Sequence, residues 1–350
     1  MPAGPSRDRL AAVEGDSSQA GRPRLTGVPL LAAGLGVVLF VQAAFVLSYV
    51  GALHRPKPHH VRFGVVGTSP LPVAVGKAFS LRITRFQSEA DARSAIDHRE
   101  IDGALVAGPG KDKLLVVPAA GTAGAVALTN AFSAAAAALG QTVEPVVVHG
   151  LPPGDAGGNV SFFAVMALIL GGYLSSTIAT VFTGTATRRG RLAALALVAA
   201  AGSLLTDIFV GPVLDALPTS KFFVLWGLFA FVMLAVAYAS SALQTVLGAA
   251  GTIVVVVLFV VFGAPASGGT LPSPYLPAFW RTFGPYFPAG AGTTAVRNTV
   301  YFDGNGITRA LLVLAAYLVV GAAVVVSVRR RRARVADAEA EASAAATVVV

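Results

Sequence analysis

From Phe222 to Ala264 the chain carries no charged residue, a run of 43 positions. As one helix it would reach about 65 Å, roughly twice the hydrocarbon core of a bilayer. Such a run must fold back on itself. Its polar interruption is "YASSALQT" (Tyr238–Thr245), which predicts two spans, 222–241 and 246–264, joined by a tight turn. One span plus a re-entrant helix is the alternative reading.

Four further stretches, 28–52, 160–182, 192–213 and 310–328, have the roughly 20 apolar residues that a spanning helix needs. The first is too long for the apolar core of a signal peptide and reads as an uncleaved anchor. Only 12% of the residues are charged and the mean hydropathy is +0.72, where soluble domains carry about 25% charge. The expected fold class is therefore membrane α-helical, a six-span bundle with the lipid bilayer as its surroundings.

Lys and Arg in the short loops give the expected orientation. Arg7, Arg9, Arg22 and Arg24 precede the first span, Arg188, Arg189 and Arg191 separate the second from the third, and Arg329–Arg332 and Arg334 follow the sixth. Six spans place all three clusters on one side, so both termini (1–27 and the basic tail 329–350) are expected in the cytoplasm. The +9 net charge clusters beside apolar runs rather than along a phosphate-binding stripe, and no nucleic-acid partner is expected. Arg outnumbers Lys 21 to 5 and Ala is abundant, which suggests a GC-rich bacterial genome and hence a bacterial cell membrane.

Residues 54–158 then form an extracytoplasmic block between spans one and two. "VRFGVVG", "LRITRF", "GALVAG", "KLLVVPA" and "TVEPVVVHG" are short β-rich runs bounded by Gly or Pro. "SEADARSAIDHRE" starts a helix with Ser88 as N-cap and Asp91 three positions on. "GTAGAVALTNAFSAAAAALG" is a second helix that stops at Gly140. Strands alternating with helices predict a small, partly parallel α/β sheet.

Candidate chemistry is sparse. All five histidines (His54, His59, His60, His98, His149) fall in this block. His59 and His60 are adjacent in a Pro-broken segment with no carboxylate at ligand spacing, so a solvated linker is expected over a metal or pH-sensing site. "GPGKDK" lacks the first Gly and the Ser/Thr of a phosphate loop and reads as a hairpin turn. No cysteine exists, which excludes disulfides and thiolate chemistry. Asp207 is the acid within a span, near its end beside Gly211-Pro212, where water or another helix would satisfy it; a proton relay is the alternative. No catalytic set emerges, and neither enzyme activity nor a cofactor is expected. "LILGGYLSS" and "LGAAG" supply small residues for close helix packing. The tail "VADAEAEASAAATVVV" is expected to fray.

Between the last two spans lies the outer loop 265–309. Within "FGAPASGGTLPSPYLPAFWRTFGPYFPAGAGTTAVRNTVYFDG" a Gly/Ser/Pro-rich start leads to Leu276, Pro277, Phe279 and Trp280, then a Pro288–Gly290 turn and Arg297. These residues, and the order of one span, a large outer block and five spans (160–328), resemble membrane subunits of type-2 ABC exporters and the related YhgE/Pip-like actinobacterial permease-like proteins. The resemblance implies that this loop, with Arg281, forms short helices dipping into the outer leaflet as a cap. It implies a homodimer working with a separate ATPase that docks near Arg188, Arg189 and Arg191, and export of a hydrophobic or amphipathic molecule. The chain departs from the family before span one, where Gly15, Gly21 and Pro23 interrupt any amphipathic helix. The loop "TGTATRRGR" is also short for a coupling element. The other reading of the residues is a membrane scaffold or receptor whose outer domain binds a partner.

Overall fold

The computed structural model describes residues 27–76, 79–182 and 187–348. The chain divides into two units, Met1–Ala43 and Ala44–Val350. Six helical segments are long and apolar enough to cross a membrane: Leu31–Leu53, Val160–Val181, Arg189–Val213, Thr219–Leu247, Ala249–Ala266 and Thr308–Val328. A small sheet domain is inserted after the first.

That domain follows α1 (Gly27–Leu53) and holds β1 (Val61–Val66), α2 (Leu71–Gly76), β2 (Leu81–Phe86), α3 (Glu89–Asp97), β3 (Gly103–Val106), β4 (Asp112–Val116), α4 (Thr122–Ala138) and β5 (Val143–Val147). The strand order is β2-β1-β3-β4-β5, parallel except for the β3–β4 hairpin. "GPGKDK" is the turn of that hairpin, with Gly110 at φ +82° and Gly108 N–H donating to the Asp112 carboxylate at 3.2 Å. Ser88 caps α3 by accepting from Asp91 N–H at 3.1 Å. Strand alternation splits the core into two layers. Phe63, Leu105 and Leu114 face α2 and α4, where Phe63 stacks on Phe132 at 4.8 Å. Ala104 and Leu115 face α3.

The bundle comprises α5 (Val160–Phe182), α6 (Arg188–Ile208), α7 (Phe222–Leu247), α8 (Ala249–Val255), α9 (Gly263–Ala266), α10 (Ala278–Phe283), α11 (Pro288–Tyr301) and α12 (Thr308–Val348). Helix α7 is its centre, packed against α5, α6 and α12. A Cβ on Gly172 of α5 would lie 2.6 Å from the Met233 carbonyl oxygen, so small residues do let these backbones meet.

The uncharged run folds back, but not at "YASSALQT". That stretch is helical to Leu247, and the reversal comes at Gly248, whose φ of +63° suits a residue without Cβ. Tyr238, Gln244 and Thr245 find partners inside the bundle, whereas the buried Ser240 and Ser241 hydroxyls meet none among the described residues. Gln244 accepts from Ser176 (2.7 Å) and Thr180 (3.0 Å) and donates to Thr177 (2.9 Å). Polar groups that are satisfied by neighbouring helices give no reason to leave the helix.

The return leg runs from α8 through a π-helical stretch, Val256–Phe262, into α9. Pro265 has no N–H for the Val261 carbonyl four residues back. Ser48 of α1 supplies that donor, Oγ to O at 2.7 Å, which is how a broken helix is kept satisfied at membrane depth. After α12 crosses, it stays helical to Val348, correcting the expected frayed tail. Ala, Glu and Arg, all strong helix formers, dominate that stretch.

Candidate functional site

The segment between α9 and α12 reaches from the bundle into both core layers of the sheet domain. Leu276 is fully buried and Tyr275 nearly so. Tyr275 enters the core layer under α4, edge-on to Phe79 at 5.9 Å, and its hydroxyl donates to the Gly124 carbonyl at 3.2 Å. Phe302, at the other end, enters the layer under α3. The loop thus supplies an aromatic to each face of the sheet. Burial pushes the Tyr275 and Tyr301 phenols up, and the Asp155 carboxylate adds to the effect at Tyr301. Both therefore stay neutral donors.

Between these two anchors, α10 and α11 differ. In α10, Phe279 and Phe283 are exposed, and Arg281 donates to the Leu276 carbonyl at 3.3 Å. Trp280 lies against α1, 3.6 Å from where a Cβ on Gly51 would stand. Pro277, with φ −57°, sets the entry to α10. Helix α11 starts at Pro288 and is buried along nearly its whole length against α5, α7 and α12. It needs Gly290 because a Cβ there would collide with the Gly284 carbonyl oxygen.

Arg297 is buried on α11 and donates to three main-chain carbonyls: Gly268 (2.9 Å), Gly269 (2.9 Å) and Gly158 (3.2 Å). It ties the loop to the entry of α5. Asp155 caps that entry, accepting from Asn159 (2.8 Å) and Val160 (3.1 Å), and takes a 2.7 Å bond from Tyr301. Lys221 closes the C-terminus of α11 on the Thr299 carbonyl (2.7 Å) and on Asp303 (2.8 Å), where a cation complements the helix dipole. Sequence reasoning singled out Arg297 and expected Tyr275, with Tyr286, to be an interface-seeking aromatic, whereas Tyr275 is buried in the sheet-domain core. It did not single out Phe302, Asp155 and Lys221 as companions of Arg297. An aromatic at each end of a Pro/Gly-rich loop was the available signal.

Toward the other end of the bundle, an apolar cleft of about 580 Å³ opens between α7, the π-helical stretch and α12. Ala242, Leu243, Phe259, Phe287, Tyr317 and Gly321 line it. Tyr317 stands edge-on to Phe259 at 5.8 Å and donates to the Tyr286 carbonyl at 3.1 Å. The segment that holds the candidate cap therefore reaches the cleft through Phe287 and through the bond from Tyr317 to the Tyr286 carbonyl.

The remaining candidates scatter. Arg189 is exposed at the start of α6, while the side chain of Arg188 lies outside the described residues. Arg191 does not face solvent: its guanidinium is buried and donates to Thr180 at 2.6 Å, extending the Gln244 network. Asp207 is also buried rather than reached by water, and its Oδ2 meets no donor among the described residues. The helix does not end beside it. A π turn, Phe209–Val213, continues the helix, and Leu217 N–H folds back onto the Val210 carbonyl at 2.8 Å.

The histidines do not converge. His149 pairs with Asp97 at 2.6 Å, His54 and His98 bond the carbonyls four residues before them, and His59 N–H donates to Pro274. No group of three or more potential metal ligands occurs among the described residues. Comparison with family models, curated proteins and solved structures finds no match to this chain.

Proposed function

We propose that this chain is a permease-like membrane subunit, working with a separate ATPase to export a hydrophobic or amphipathic molecule. In this reading it is a homodimer in a bacterial cell membrane, with both termini cytoplasmic and the sheet domain extracytoplasmic. The observation that carries it is the apolar cleft of about 580 Å³, in the size range of small-molecule sites. A laterally open, apolar space between helices accepts a ligand that partitions into lipid and excludes a strongly hydrated one. The segment carrying Tyr286 and Phe287 would cap it, and Arg189 would face the ATPase.

The test is purification of the tagged chain from its native membrane in mild detergent, with mass spectrometry of what accompanies it. The reading expects a stoichiometric nucleotide-binding subunit that is lost on Arg189→Glu. Repeated recovery of intact protein with no such subunit would overturn it.

One observation favours a scaffold or receptor instead. The edge strand β2 leaves Arg82, Ile83, Thr84 and Arg85 exposed, a free edge suited to strand addition by a partner. That reading expects no ATPase and a protein ligand lost when β2 carries a Pro.

A further inference from the structure

Where the sheet domain meets the bundle, a second cavity of about 130 Å³ is bounded by three arginines. Arg62 projects from β1, Arg99 follows α3, and Arg297 comes from α11. Only one of the three has a carboxylate partner: Arg62 grips Asp102 with two bonds, 2.6 and 3.1 Å. Among the described residues no carboxylate lies within ion-pair distance of Arg99 or Arg297. Arg297 is hydrogen-bonded only to carbonyls, with Asp155 acting on its charge from beyond contact distance. The Nε and Nη1 of Arg99 are buried and find no hydrogen-bond acceptor.

The backbone at Arg99 strengthens the case. It occupies the left-handed position that ends α3, with φ +61°, and Arg99 and Glu100 N–H groups bond back to Ile96 (3.0 Å) and Ala95 (2.8 Å). Glycine is the cheap residue at that place in such a helix stop. An arginine there costs backbone strain, which directs attention to what its side chain does. The guanidinium is held over the Phe302 ring at 4.4 Å, and a Cβ on Gly306 would touch the Arg99 stem at 3.3 Å. The side chain is therefore clamped. Burial, together with the neighbouring cations Arg62 and Arg297, lowers its pKa to about 10, with Asp102 opposing, so Arg99 remains charged at neutral pH.

Arg297 is buried and Arg99 is partly buried, and neither has a carboxylate in ion-pair contact, a cost that an anion between them would offset. We propose that this cavity binds a small oxyanion of the phosphate class, with Arg99 as the principal contact and Arg297 as fixed positive charge behind it. Ser273 and Thr294 also line the cavity and offer hydroxyls suited to oxyanion oxygens, while the Ser267 hydroxyl is already donated to the Ala264 carbonyl. The space of about 130 Å³ is large enough for a phosphate group. The same chemistry is offered by free inorganic phosphate and by a phospholipid headgroup. Because Tyr275, Phe302 and Arg297 all belong to the joint around it, an occupant would lock the sheet domain to the bundle.

The experiment uses the full chain in neutral detergent, with thermal unfolding read from Trp226 and Trp280 fluorescence. Inorganic phosphate is titrated against chloride at constant ionic strength. In parallel, nanodiscs of phosphatidylglycerol are compared with phosphatidylcholine, and native mass spectrometry counts retained phospholipid. Saturable stabilisation by phosphate, weakened at least tenfold in Arg99→Gln, supports a free anion as the ligand. No response to phosphate, with one tightly held anionic phospholipid that Arg99→Gln releases, supports a headgroup. Ser273→Leu, which fills the cavity and leaves every charge in place, is expected to abolish either response, and it covers the case in which Arg99→Gln does not fold. Absence of both responses in the native protein overturns the proposal. So does any response that is unchanged in both variants.

Discussion

Helices α11 and α12 pack against each other but follow opposite rules. In α12 the large apolar side chains Leu312, Val319 and Val320 are more than 60% exposed. In α11, Thr293, Arg297 and Asn298 are under 7% exposed. Water would impose the reverse. In a bilayer, lipid is as apolar as Leu, so apolarity gives no reason to go inside, and small or polar residues take the interior, where helices meet and hydrogen bonds are made. Helix α11 is thus the internal joint, and α12 is a wall.

The comparison breaks most readily at the close approach that lets α11 enter. Gly290→Val would place side-chain atoms on the Gly284 carbonyl oxygen, and backbone has little room to yield. A loss above about 4 kcal/mol is expected, seen as failure to recover monodisperse protein. Next comes the aromatic pair: Phe302→Ala or Tyr275→Ala should each cost about 3–5 kcal/mol, measured as a drop in the unfolding midpoint. An equivalent truncation on the wall, Leu312→Ala, should cost far less.

A smaller effect of opposite sign is expected at Asp207. Its carboxylate is buried with Oδ2 unsatisfied, so Asp207→Leu should stabilise the protein by about 1–3 kcal/mol. If the same variant abolished function while raising the midpoint, the residue would be a site and not a defect. Smallest is the exposed Lys221–Asp303 pair. The Lys221 hydrogen bond, then its charge, holds the Asp303 carboxyl below its ordinary 3.8. A depressed acid contributes stability above its unfolded value and loses it as pH falls through its folded one. Asp303→Asn should therefore lower the midpoint slightly at pH 7, and the difference should fade as the pH falls below 3.8 through the depressed native value.

Much of the sheet domain was legible in the sequence because its signals are local. Five β-rich runs bounded by Gly and Pro became the five strands, and Ser88 became the cap that its spacing to Asp91 implied. Six apolar stretches became six helices of spanning length. What failed was anything decided across the chain. The turn at Gly248 was hidden because Gln244 is satisfied by Ser176, Thr177 and Thr180, all more than 60 positions away in sequence. Arg191 read as a loop charge because its partner on α5 is invisible to a count of basic residues. The loop containing Trp280 and Arg297 stood out by composition, yet its role as the joint rests on Tyr275 and Phe302 entering a core more than 100 residues earlier in the chain.

The central claim is that this loop fixes the sheet domain rigidly on the bundle. The chain has no cysteine, so two can be introduced without background: Glu144→Cys on β5 and Leu197→Cys on α6, both exposed sites. Spin labels there, read by pulsed electron resonance in nanodiscs, measure the domain–bundle distance directly. The account predicts one narrow distance that broadens when Tyr275 and Phe302 are both changed to Ala. A broad distribution in the otherwise unaltered chain, unaffected by that double change, would contradict it.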